Sequence, residues 1–148
     1  MSVEAVTDAT ARVVALAPGI TAAYSSAASG QPDVRAIPTD LPLAPCAIVR
    51  HNRFDLAAAG SPERLVHYVD VELFVPAANV GNAEKLLLPL VTAVIAAFRT
   101  HVGLFGNATL AKVSTGGPPD DQLVNGKPYL VYPITVRVTE QSVQSYAL

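Results

Sequence analysis

Few residues in this chain have the chemistry of a reactive site. Three histidines (His51, His67, His101) and one cysteine (Cys46) supply every imidazole and thiol. His67 and Asp70 fall on opposite faces of a strand, so they cannot converge on a metal ion. A zinc site also needs about three or four protein ligands at workable spacing, and the sequence supplies no such set. Cys46 would need a base and an electropositive niche to act as a nucleophile. His51 lies five positions on, hence on the other face of a regular strand, so Cys46 reads as a small buried hydrophobe. Asp120 and Asp121 could act as acid and base in principle. They sit on a Pro-Gly loop beside no other titratable cluster, which makes a solvated turn. Gly116-Gly117-Pro118-Pro119 lacks the lysine, glycine spacing and helix of a phosphate loop, and Gly103-Leu104-Phe105-Gly106 is a turn. Arg50, Arg53 and Arg64 form at most a small basic patch without an aromatic platform. Pairing with Asp55, Glu63, Asp70 or Glu72 accounts for them. No catalytic, metal-binding or cofactor-binding residue is therefore expected, and no enzyme.

Composition narrows the class. Of 148 residues, 51% are hydrophobic and 15% charged, against a usual ~25% charged. So few charges leave surface to be covered by other copies or partners. A net charge of −2 excludes a protein built chiefly to grip nucleic acid. One cysteine excludes an intrachain disulfide. The first residues, Met1-Ser2-Val3-Glu4-Ala5, carry no basic, apolar secretion signal. The apolar run Leu86 to Phe98 is closed by Lys85 and Arg99 and is shorter than the about 20 residues of a membrane span. It reads as a buried helix, with no membrane as partner.

The elements that must position these residues follow from periodicity. Ser2 to Ala17 is a predicted helix, capped by Ser2, with Val6, Ala9, Val13, Leu16 and Ile20 as its stripe. Pro18-Gly19 ends it. Residues 25–45 form a long connector stiffened by prolines, read as an ordered extended arm. Cys46 to Asp55 and Arg64 to Val75 pair as a hairpin. In the second, Leu65, His67, Val69, Val71, Leu73 and Val75 face the core. A second helix, capped by Asn82, runs to about His101 with Leu87, Val91, Val94, Phe98 and Val102 buried. Pro89 is expected to kink it. Ala108 to Thr115 is a short strand. Tyr129 to Glu140 is the last strand, with Leu130, Tyr132, Ile134, Val136 and Val138 inward. Pro133 implies an edge or bulge there. Between these two strands, residues 114–128 read as a projecting loop, with Asn125-Gly126 as a type I′ turn. The expected fold is a single α+β domain over 1–148. It is two-layer, with a mainly antiparallel four-stranded sheet and two helices packed on one face.

This order of elements resembles the tail terminator (tail completion) proteins of long-tailed bacteriophages. Four stretches carry the resemblance. They are the N-terminal helix with the proline-containing entry Leu41-Pro42-Leu43-Ala44-Pro45-Cys46-Ala47-Ile48-Val49, the strand Tyr68-Val69-Asp70-Val71-Glu72-Leu73-Phe74-Val75, the apolar helix Ala83 to Arg99, and the strand Tyr132-Pro133-Ile134-Thr135-Val136-Arg137-Val138. The resemblance spans roughly residues 2 to 140 and involves no catalytic signature. It implies a virion structural protein assembled in the host cytoplasm, without cofactor, forming a homo-oligomeric ring, commonly a hexamer. Such a ring caps the head-proximal end of the tail tube, stops its polymerisation and joins it to the head connector protein. Genome DNA passes through the lumen without specific binding. Another head–tail connector or tail-completion component is the alternative, and a small ligand-binding or enzymatic α+β domain a further one. Interface residues are expected on the arm (Pro38, Leu41, Pro42) and on the projecting loop (Gly117, Pro118, Asp120, Asp121, Asn125).

Overall fold

The computed structural model of the chain describes residues 3–27, 34–41, 44–57, 64–77, 80–106, 108 and 110–141. Helix α1 (Val3–Ala15) is followed by strands β1 (Ala22–Ser25) and β2 (Val34–Ala36). The long hairpin β3 (Cys46–Ala57) and β4 (Arg64–Pro76) comes next, then helix α2 (Val80–Thr100). Strands β5 (Leu110–Gly116), β6 (Asp120–Val124) and β7 (Lys127–Gln141) complete the chain.

The expected four-stranded, mainly antiparallel sheet is corrected to a seven-stranded mixed sheet, with the chain still α+β overall. Its order is β2-β1-β3-β4-β7, with β5 and β6 both pairing with β7. β2 with β1, and β1 with β3, are parallel pairs. The remaining pairs are antiparallel. The added strands come from segments read as arm and loop. β1 and β2 lie in or beside the proline-rich connector, and β6 lies inside the 114–128 excursion.

One face of the sheet carries the main core. Val6, Ala9 and Val13 of α1 and Leu87, Leu90, Val94 and Phe98 of α2 pack on Val49, Val69, Val71, Leu73, Ile134, Val136 and Val138. Each such side chain removed from water contributes roughly 1.5–3 kcal/mol. The alternation of β4 and β7 therefore points as its apolar pattern requires. The helices meet closely where α1 ends: Gly19 has φ +94°, and a Cβ there would lie 2.6 Å from Leu90 Cδ2. Only glycine meets both conditions at no cost.

A second, smaller core lies on the opposite face. Ala22, Tyr24, Cys46, Ile48, Phe74, Tyr129 and Val131 are covered there by Leu41, with Ile37 and Ala44 beside it. The arm thus serves as a lid on the back of the sheet. α2 begins at Val80, so Asn82 lies within its first turn rather than capping it, and the helix continues through an exposed Pro89. The predicted cap Ser2, and the loop joining β3 to β4, fall outside the described residues.

Candidate functional site

A cluster of polar side chains on β3, β4 and β7 lies on the helix face of the sheet. His51 on β3 stands opposite Val69, so His67 is its diagonal neighbour across the hairpin. Both point to the helix face. His51 Nε2 is 3.0 Å from His67 Nδ1, with the rings edge to face. Glu140, on β7, places Oε1 3.7 Å from His67 Nε2. His67 is fully buried. The facing nitrogens share one hydrogen bond whose direction follows the tautomer, and His67 Nε2 is buried without a hydrogen-bond partner among the described residues, with Glu140 at ion-pair distance only. Burial pushes the His67 pKa below the ordinary histidine value, against the pull of Glu140. Burial, then His67, push His51 down, against Asp70 and Glu4. The cluster does not form a metal centre: no group of three suitable ligands converges among the described residues.

Sequence reasoning compared His67 with Asp70 along one strand and His51 with Cys46 along another. It did not compare the two histidines across the hairpin. Their shared apolar-face parity was the available signal. The register was not, because a bulge at Asn52 shifts the pairing from His51↔Val69 to Arg53↔Tyr68. The same bulge turns Phe54 opposite His67, leaving Phe54 and Leu56 exposed on the helix side.

The other reactive groups are held in place. Cys46 is fully buried in the back core, and burial pushes its thiol up to about 12. Arg53 is ion-paired with Asp55 and lies 4.0 Å over the Tyr68 ring. His101 stacks against Phe105.

The expected interface residues fall into two groups that the fold joins. Leu41 is buried, and its carbonyl accepts the Tyr129 hydroxyl at 3.2 Å. Pro38 is half-buried, and Pro42 lies outside the described residues. Lys127, beside the β6–β7 turn, reaches Asp40 at 3.6 Å. Val124 packs beside Leu41 in the back core. The arm and the β6–β7 hairpin therefore meet at one end of the molecule, with Leu41 turned inward as their anchor. Asn125 and Gly126 have φ values of 52° and 79°, the two positive angles of a type I′ turn. Pro118, Asp120 and Asp121 are exposed, and Gly117 precedes Pro118 through a cis bond.

Several large apolar side chains lie on the surface of the single chain. Leu88 is 63% and Leu123 74% exposed, with Leu86, Phe54 and Leu56 also more than half exposed. The segment Gly81–Thr100 is long and apolar enough by composition to cross a membrane, with a mean hydropathy of 1.4. Here it packs on the sheet through Leu87, Leu90, Val94 and Phe98, and its outer face is left with only Glu84, Lys85 and Arg99 as charges. Among the described residues, β2 is the last strand on one side of the sheet, and β5 and β6 form the last row on the other.

No protein-family model matches the chain, and no curated protein matches it.

Proposed function

We propose that this chain is a virion structural protein of tail terminator type. Copies of it form a ring, commonly six-membered in proteins of this kind, at the head-proximal end of a phage tail tube. The ring stops tube polymerisation and joins the tube to the head connector, and genome DNA passes through it without specific binding. The observation that carries this reading is the pair of different outer strands of one sheet, β2 at one side and β5 with β6 at the other, neither paired further among the described residues. A subunit with two different outer strands can add head to tail, and such contacts close into a ring when the rotation allows. The exposed apolar residues and the scarcity of charge supply the surface for these contacts. The pair formed by buried His67 and half-buried His51 turns its facing nitrogens on itself, consistent with a structural part.

Native mass spectrometry and negative-stain microscopy test the proposal. A ring with a central hole that caps polymerising tail tubes is the expected result. A protein that stays monomeric alone and in the presence of tubes overturns it. A ring that leaves tube length unchanged but binds heads favours another head–tail connector.

A further inference from the structure

A groove lies between the C-terminal half of α2 and the edge strand β5. It has a volume of about 390 Å³ and is lined by Ile95, Phe98, Val102, Leu110 and Val113, with Arg99 and Lys112 at its rim. No carboxylate lines it among the described residues. Among the described residues neither cation enters an ion pair. The groove follows a fixed seam, because Ala111 N–H donates to the Val102 carbonyl at 2.6 Å. An apolar trough with unpaired cations fits an extended segment that carries an apolar side chain next to a carboxylate.

The chain itself presents such a segment. β6 is exposed along its length except at Val124. Leu123 is its most exposed large hydrophobic residue, and Asp120 and Asp121 precede it. Asp121 pairs with Leu130 and Leu123 with Pro128, so both side chains leave the same face of β6. They stand about 7 Å apart along the strand. Within one molecule β6 cannot reach the groove, because β5 and β6 occupy successive stretches of the same edge of β7.

We infer that β6 of one copy docks in the α2–β5 groove of its neighbour. Leu123 enters the apolar floor and Asp121, on the same face, meets Arg99 at the rim, while Asp120, on the opposite face of β6, and Lys112, on the face of β5 away from α2, add opposite charges around the contact. The surface that gives and the surface that receives are different, so the contact is heterologous and leaves each copy with one free groove or one free strand until a ring closes. This rests on the ring reading for its closure, but not for the contact itself.

Charge reversal tests it on the full chain. One variant carries Asp120→Lys and Asp121→Lys, and the other Arg99→Glu and Lys112→Glu. All four side chains are exposed, and unchanged circular dichroism melts confirm that each variant folds. Each variant alone is expected to lose assembly, with the apparent dissociation constant rising about tenfold or more. Mixed, the two variants complement each other in both directions, the unchanged strand in the unchanged groove and the reversed strand in the reversed groove. Sedimentation velocity should then show assemblies of wild-type size that contain the two variants one to one. A single chain carrying all four reversals should recover assembly. Full assembly of both variants overturns the inference while leaving the ring reading in place. A mixture that stays monomeric overturns it as well. A wild-type protein that forms open chains sensitive to these reversals, without closing, upholds the contact and removes the ring.

Discussion

Gly117 donates its backbone N–H to the carbonyl of Pro133 at 2.8 Å, at the break in the outer edge of the sheet. β5 follows β7 as far as Gly116↔Ile134, and β6 resumes at Asp120↔Val131. A residue in an antiparallel strand turns its N–H and C=O to the same neighbour. The donor that proline lacks therefore falls where the outer strand has left the ladder. The proline is tolerated inside a long strand because its partner strand is interrupted opposite it.

Gly117→Ala should accordingly destabilise the fold. Gly117 has φ +78°, and a Cβ there would lie 3.1 Å from the Tyr132 hydroxyl. A left-handed non-glycine residue costs about 1–2 kcal/mol, and Tyr132 must also shift. Thermal melts should show a drop of several degrees. Pro133→Val should change the melting temperature little, because the restored N–H faces the gap. Equal losses in the two variants would contradict this account.

How far the sequence determines this fold differs from element to element. β4 and β7 turn alternate residues to the main core, so Val69 to Leu73 and Tyr132 to Val138 alternate legibly, whereas Phe74 and Val131 enter the back core. β1 does not alternate, because all four of its residues are buried. Val34, Arg35 and Ala36 of β2 are too few to show any period, and their pairing with β1 sets them in the sheet. β6 is polar and exposed, so its strand state comes from the Asn125–Gly126 turn and from β7, not from its own residues. The histidine pair was hidden for a different reason. His51 and His67 meet only through a hairpin register that a bulge shifts.

That pair predicts an acid-sensitive stability. Histidines in the unfolded chain take up protons near pH 6.5, whereas burial holds both folded-state values lower. Between those limits the unfolded state binds more protons, so stability falls as pH falls and is recovered above about 6.5. The melting temperature should decline from pH 7 to pH 5. His67→Leu should flatten that decline. A slope unchanged by the substitution would show that other groups set it.

The two faces of β7 can be tested one position apart. Val136 is fully buried between the helices and the sheet, whereas Arg137 is exposed. Val136→Asp places an unpaired carboxylate in the main core and should cost several kcal/mol, enough to abolish soluble folding. Arg137→Ala should stay within about 0.5 kcal/mol of wild type by denaturant titration. Comparable effects at the two positions would mean that the strand's faces are reversed.

Tyr129 links the arm to the sheet. Its hydroxyl donates to the buried carbonyl of Leu41, 88 positions away in sequence, and its ring packs edge to face on Phe74 at 6.0 Å. Tyr129→Phe keeps the ring and removes the hydroxyl, so the Leu41 carbonyl loses a buried donor. A neutral hydrogen bond of this kind contributes about 0.5–1.5 kcal/mol. The loss should fall on the arm, because β7 keeps its ladder with β4 on one side and β6 on the other. Amide exchange from Ile37 to Leu41 should therefore accelerate, while exchange in β4 and the middle of β7 stays at the wild-type rate. Uniform acceleration across the sheet would instead make the back core and the main core one cooperative unit, with the arm as much a part of it as the helices.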